Sequence, residues 1–272
     1  MSDANVTYEL VGNVALVGLD RSGKRNALND DMIKLLREAV FRAGEEARAG
    51  VIHAIGDNFS AGLDLAEALS WMDPNASKEA KAKRNRRGRW HRSFDLIARG
   101  PIPWVAALKG ACIGGGLELA SACHIRVADQ STFFALPEGQ RGIFVGGGGS
   151  VRISRLMGYA RMADLMLTGR VLTAEEGERA NLAQYVVPKG ESFERAKSLA
   201  TRIAENAEQS NWAITNCLPR ILDFSHEEGL FVEQLVGGAM RERSTEGAQR
   251  VRDFVEKRAK PLATPGTSGD GR

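Results

Sequence analysis

Over about two thirds of this chain, β-rich apolar runs alternate with helical periodicity, and then helical patterning continues alone. That order constrains the fold more than any other feature. It predicts an α/β core followed by a helical C-terminal region. Val6 to Leu10 and Val14 to Leu19 read as a hairpin around the turn pair Gly12-Asn13. Asn29 is the expected N-cap of a helix carrying Met32, Leu35, Leu36 and Val40 on one face. Further strands are expected at Val51 to Ile55, Ile102 to Leu108, Ile125 to Val127, Thr132 to Phe134 and Ala183 to Val187. A short helix is expected after Gly116, and a helical stretch from Val151 to Ala180 with breaks at Gly158 and Gly169. From Ser192 to Lys260 the pattern is amphipathic helix, punctuated at Ser210 and Pro219. Residues 262–272 have the composition of a disordered tail.

Bulk properties narrow the class of protein. A chain of 272 residues can bury a sizeable core without staples. A net charge of +3 gives no argument for nucleic acid by itself. Cys112, Cys123 and Cys217 have no metal or redox spacing and read as reduced thiols. No basic leader opens the sequence and no run approaches ~18 apolar residues, so the expected location is the cytoplasm, with no membrane partner.

Three segments carry chemistry. Phe59-Ser60-Ala61-Gly62-Leu63-Asp64-Leu65 follows an expected strand, and its small residues allow a sharp turn that leaves a backbone N–H pointing into space. Gly114-Gly115-Gly116-Leu117-Glu118-Leu119-Ala120 also follows a strand and opens a helix, whose first N–H groups have no partner inside it. Two such N–H groups aimed at one oxygen would make an oxyanion hole. Taken alone, a glycine-rich loop is as readily explained by tight packing, and Glu118 by a surface carboxylate at a helix N-terminus. The third segment is Leu136-Pro137-Glu138-Gly139-Gln140-Arg141-Gly142-Ile143. Here Glu138 ends an apolar run between Pro137 and Gly139, where a purely structural carboxylate has little reason to be.

The order Ala-Gly-x-Asp, Gly-Gly-Gly-x-Glu-Leu-Ala, then Pro-Glu-x-x-x-Gly-Ile and a glycine-rich turn resembles the crotonase (enoyl-CoA hydratase/isomerase) superfamily. The resemblance runs over roughly residues 5–261. It implies a spiral of repeated ββα units with its acyl-CoA site in residues 1–200, then C-terminal helices over 201–261 that build a homotrimer or a dimer of trimers. It implies an oxyanion hole from the N–H groups of Leu63 and Gly115. It gives Glu118 the role of activating water for attack at C3, and Glu138 that of delivering a proton to C2. It also implies coenzyme A contacts at Lys24, Arg25, Ala27, Leu28, Ala61, Asp64 and Leu65, with Asp64 structural. Lys24 or Arg25 would meet phosphates, or would simply form a solvated basic turn. Coenzyme A is then part of the substrate, and no separate cofactor or metal is expected.

The resemblance leaves alternatives. Retaining both glutamates favours an enoyl-CoA hydratase, a lyase, over an isomerase or a hydratase-lyase acting on aromatic acyl groups. A non-enzymatic RNA-binding or scaffolding relative would have no chemical need for them. The turn Gly146 to Gly149 follows Val145 where the family often has proline, so acyl length is not inferred, and Leu63 is bulkier than the common alanine. Lys78, Lys81, Lys83, Arg84, Arg86, Arg87, Arg89, Arg92 and Arg99 surround Trp90 and Phe94. This run reads first as a solvated helix, second as a cover near coenzyme A phosphates, and last as a nucleic-acid face. His53 and His124 look like core or strand-end residues, and His91 belongs to the basic helix or the pocket wall. Trp212, Phe224, Phe231 and Phe254 are expected to serve helix packing or trimer contacts.

Overall fold

Strands buried on both faces need apolar residues at nearly every position, and the central strands have them, with exceptions such as His53 and Arg126. The computed structural model describes residues 5–73, 75, 77, 89–243 and 245–258. A six-stranded sheet runs in the order β1 (Val6–Val11), β2 (Val14–Leu19), β3 (Ala49–Ala54), β4 (Trp104–Leu108), β6 (Ile125–Asp129), β9 (Tyr185–Val187). Only the β1–β2 hairpin pair is antiparallel in this sheet. A second sheet of three strands places β5 (Ala111–Ile113) beside β7 (Phe133–Ala135), which pairs antiparallel with β8 (Val171–Thr173).

Alternation along β2, β3 and β4 sorts side chains into two cores. Val14, Leu16, Val51, Val105 and Ala107 face α8 (Ser192–Ala204), which brings Ala196, Leu199 and Ala200 against them. Ala15, Val17, Ile52, Ala106 and Leu108 face the larger core, where α1 (Asp30–Glu46) inserts Met32, Ile33 and Leu36. α1 begins as the sequence predicts, with the Asn29 side chain accepting from the Met32 N–H at 2.9 Å. His53 packs against Phe193 of α8 with the rings tilted at 53°, and burial pushes its imidazole pKa down to about 4. His124 accepts from the Trp104 N–H at 3.0 Å and is likewise pushed down to about 4 by burial. Both are neutral structural residues.

The remaining helices are α2 (Leu65–Met72), α3 (Arg89–Arg99), α4 (Gly115–Ala122), α5 (Gly149–Met157), α6 (Tyr159–Thr168), α7 (Ala174–Arg179), α9 (Glu208–Asn216), α10 (Leu218–Ile221), α11 (His226–Arg243) and α12 (Thr245–Val255). Several expectations need correction. The stretch from Val151 to Ala180 is interrupted by β8, because Gly169 turns the chain at φ +69° and Val-Leu-Thr then pairs with β7. β5 was hidden in the glycine-rich segment, too short to show alternation. Ser210 lies inside α9; the break falls before it, at 205–207. Pro219 sits in the first turn of α10, where its missing N–H costs nothing. Of the two roles expected for Trp212, Phe224, Phe231 and Phe254, packing between helices within the chain is not seen, since they are exposed from 46% to 67%; contact between subunits stays an expectation.

In the basic run, Phe94 is fully buried and Trp90 packs edge-on against it at 5.7 Å, so these aromatics form core rather than an exposed binding face. Residues Lys78 to Arg87 of that run, and the tail 262–272, lie outside the described residues. Among the described residues, no helix is long and apolar enough to cross a membrane, and no cluster suits a metal ion.

Candidate active site

All three motif segments leave the same ends of parallel strands. The first follows β3, the second follows β4 and β5, and the third follows β7. Ligand sites in α/β proteins gather outside the carboxyl ends of parallel strands, where loops are free to vary. Here two isolated parallel bridges, Leu28 with Leu63 and Ser60 with Cys112, draw the loops together.

Gly62 shows how close they come. It adopts φ +87°, and a Cβ there would lie 2.6 Å from the Ile113 carbonyl oxygen and 3.1 Å from the Gly115 nitrogen. Only glycine fits both the conformation and the gap. Leu63 and Gly115 follow directly on these contacts. Neither of their N–H groups has an acceptor among the described residues. Gly115 opens α4, so its N–H also carries the positive end of a helix. The two donors meet the local requirement of an oxyanion hole.

A cleft of about 270 Å³ opens at this point. Leu63, Gly114, Gly115, Glu138 and Ile143 line its interior, and Lys24, Ala27, Ala61, Asp64, Leu65 and Arg141 its remaining wall. Neither Lys24 nor Arg141 has a carboxylate partner among the described residues. Asp64 is held otherwise. Its carboxylate caps α2 through the Ala66 and Glu67 N–H groups and accepts from Arg21 at 2.7 Å, which holds its pKa below the usual range, the Arg21 hydrogen bond being the main cause. Leu28 and Arg25 stand apart from the cleft wall. The Leu28 side chain is fully buried, its N–H donates to Gly62 and its carbonyl accepts from Asp64. Arg25 is exposed with φ +50°.

The two glutamates are buried in different ways. Glu118 is 3% exposed, so it is no surface carboxylate. Its Oε1 accepts from the Gly147 N–H at 2.7 Å and the Gly149 N–H at 2.8 Å, and Oε2 from Gly146 at 3.4 Å. Burial raises its pKa, and the three N–H groups and nearby His91 pull it partly back. Glu138 is 5% exposed and reaches the cleft, with Oε2 lacking any hydrogen-bond partner among the described residues. Its pKa is raised by burial first and further by the charge of Glu118. Glu138 does not end a strand: it follows β7 by three residues and occupies the N-cap position of a 3-10 turn, Gly139–Arg141, without a side-chain capping bond. Glu118 does not line the cleft, lying beneath the 146–149 turn.

A larger cleft of about 720 Å³ lies between α3, α5 and the C-terminal helices, bordered by His91, Asp95, Arg152 and Asn216. It contains neither glutamate.

Residues that sequence reasoning passed over brace the site. The Asn26 side chain, fully buried, donates to Ile55 and Asn58 carbonyls and accepts from the Arg21 N–H. The Ser60 hydroxyl donates to the Asn26 carbonyl and accepts from the Gly62 N–H. Asn26 had a local signal, being an asparagine in a tight turn, here at φ +52°. Arg141 had none, since it fills a variable position of the third motif. The Trp90 ring closes over Gly115, where a Cβ would approach it to 2.7 Å.

Comparison with known proteins shows the family and the fold. The enoyl-CoA hydratase/isomerase family model matches residues 9–263. A mitochondrial Dictyostelium discoideum protein, provisionally named an enoyl-CoA hydratase, is 33% identical over 93% of this chain and 88% of its own length. The enoyl-CoA hydratase EchA19 of Mycobacterium tuberculosis is 29% identical over 95% and 96%. A solved Rhodopseudomonas palustris structure, also provisionally named a hydratase, is 44% identical with TM-score 0.85, covering 94% of this chain and 96% of that one. An enoyl-CoA hydratase structure from Bacillus anthracis has TM-score 0.84 at 26% identity, covering 93% and 96%. The chain therefore belongs to the enoyl-CoA hydratase/isomerase family and has the crotonase fold.

Proposed function

We propose that this protein adds water reversibly across the double bond of a 2-enoyl-CoA thioester. The observation that carries the reading is the pair of unpaired N–H groups, Leu63 and Gly115, opening on a cleft whose wall holds a protonatable Glu138. The thioester oxygen accepts from both N–H groups, which stabilise the enolate formed as C3 is attacked. Glu118, steadied as a carboxylate by backbone donors, takes the proton of the attacking water. Glu138, with its raised pKa and unpartnered oxygen, gives its proton to C2. The proton gained by one carboxylate equals that lost by the other, so exchange across the pair restores the site. Lys24 and Arg141, neither in an ion pair among the described residues, suit the coenzyme A phosphates on one wall, with the Arg141 charge also reaching Glu138.

A second reading has one supporting observation. Glu118 does not line the cleft. If it stays beneath the turn during turnover, Glu138 alone would shuttle a proton between C2 and C4, which is isomerisation of a 3-enoyl thioester. The test follows loss of the conjugated enoyl-thioester absorbance with crotonyl-CoA and cinnamoyl-CoA, beside its gain with a 3-enoyl-CoA. Hydration of either conjugated substrate supports the first reading, and the ratio of the two sizes the acyl site. Turnover of the 3-enoyl substrate alone replaces it with the second. The apolar side chains exposed on the C-terminal helices, Phe231, Leu235 and Phe254 among them, support assembly as a trimer or dimer of trimers.

A further inference from the structure

The 146–149 turn that binds Glu118 is itself held from behind. Arg152, one turn into α5, donates to the Gly147 carbonyl at 3.0 Å and forms an ion pair with Asp95 of α3. The Gly147 residue thus presents its N–H to Glu118 and its carbonyl to Arg152. Gly148 makes the approach possible: it adopts φ +97°, and a Cβ there would collide with the Arg152 guanidinium. The Arg152 side chain is only 17% exposed, so its charge is weakly screened.

Helix α3 holds one end of this arrangement and α5 the other, while Glu118 belongs to α4. We propose that Arg152, clamped by Asp95, is a positioning residue: it fixes the glycine turn so that the Gly147 and Gly149 N–H groups hold the Glu118 carboxylate in its working place and charge state. The inference rests on the proposed role of Glu118 as the base. Arg152 touches no reacting atom and acts through the turn.

The alternative is that the Arg152–Asp95 pair only staples α5 to α3. The two roles separate on the titration of Glu118. The charged groups that face it are His91 from α3, Arg152 from α5 and Glu138 from the turn after β7. Burial already pushes its pKa up, and the N–H groups of the turn oppose that. Loosening the turn removes the opposition, so the pKa of Glu118 must rise further.

The experiment compares the full-length parent with Arg152→Gln and Asp95→Asn. Asp95→Asn keeps the shape and half of the hydrogen bonding, so it guards against a fold lost in the first variant. The first measurement is the Glu118 carboxyl pKa, by carbon-13 NMR of glutamate-labelled protein in a Glu138→Gln background. It needs no turnover and so stands whatever reaction the protein catalyses. The expected result is an upward shift in both variants, larger in Arg152→Gln. The second is the kcat for hydration, expected to fall about 10²-fold with little change in KM, as for a catalytic group displaced by a fraction of its reach. The acidic limb of the kcat profile should move to higher pH. Because the Arg152 cation itself faces Glu118, the Asp95→Asn variant decides: an unchanged or lowered Glu118 titration there, in folded protein, overturns the proposal even if Arg152→Gln shifts it or both variants melt at lower temperature. A shifted titration with no hydration by the parent keeps the clamp and removes the hydratase reading instead.

Discussion

Glu118 and Glu138 lie twenty positions apart in sequence and close enough in space for the charge of one to act on the other. Their surroundings differ. Glu118 is wrapped by the N–H groups of a glycine turn, whereas Glu138 presents an oxygen with no partner. A carboxylate given backbone donors is stabilised as an anion, and one buried without them favours its neutral form. On the proposed hydratase reading, this difference would make one of two chemically identical side chains the base and the other the acid.

The largest effects should come from removing that difference. Glu138→Gln should lower kcat for hydration by about 10²–10⁴-fold, the range for a lost general acid. Glu118→Gln should match it if water is activated there. In an isomerase only the Glu138 change would be severe, so the two variants assayed side by side with both substrate types sharpen the comparison.

Next comes the oxyanion pair. Gly62→Ala puts a methyl against the Ile113 carbonyl and separates the two donors, and kcat should fall about 10²-fold. Normal turnover by a folded Gly62→Ala protein would show that these N–H groups do not bind the reacting oxygen.

The pH profile follows in size. Hydration needs Glu118 ionised and Glu138 protonated, so the rate falls as acid protonates the first and as base ionises the second. Both limbs lie above the ordinary carboxylate range, because burial raises both pKa values. Glu138→Gln should abolish the alkaline limb in whatever activity remains.

A smaller effect is expected at the entrance. Arg141→Ala should raise KM for a coenzyme A thioester about 3–10-fold at low salt, as for one charge-assisted contact that solvent partly screens. The KM for a truncated N-acetylcysteamine thioester should not change. An equal rise for both thioesters would place Arg141 elsewhere in binding.

The smallest effects are on stability, and they share a sign but differ in size. The raised pKa of Glu138 means that its native-state contribution is present at low pH and lost as pH rises through that pKa. Glu138→Gln should therefore raise Tm at pH 8 by about 2 °C, with the gain vanishing at acid pH. Glu118→Gln should raise Tm at pH 8 by less, since its pKa is also raised but backbone donors offset part of the burial cost, and the amide oxygen can still accept from Gly147 and Gly149 while only the long Gly146 contact is lost. Thermal melts of both at two pH values check the pair.

Much of this molecule is legible in its sequence. The hairpin, the Asn29 cap, the buried strands and the order of the three motifs depend on residues within a few positions of each other, and local chemistry dictates them. The candidate residues Leu63, Gly115 and Glu138 could be named because the three motifs in their order resemble a known family; a glycine-rich loop taken alone fits tight packing equally well. β5 and β8 were illegible, since each is three residues long and exists only by pairing with β7. So was the break before Ser210, where no glycine or proline marks the chain. By itself the sequence determined the two-sided sheet, the helical end and the chemical groups available. Only the tertiary structure decided that Glu118 is held by Gly147 and Gly149, that Arg152 and Asp95 brace their turn, and that Leu28 is buried away from the cleft. Apart from the Arg152–Gly147 bond within the turn, those contacts join segments about thirty or more positions apart, and their geometry is set by how whole helices pack, which no short stretch of chain encodes.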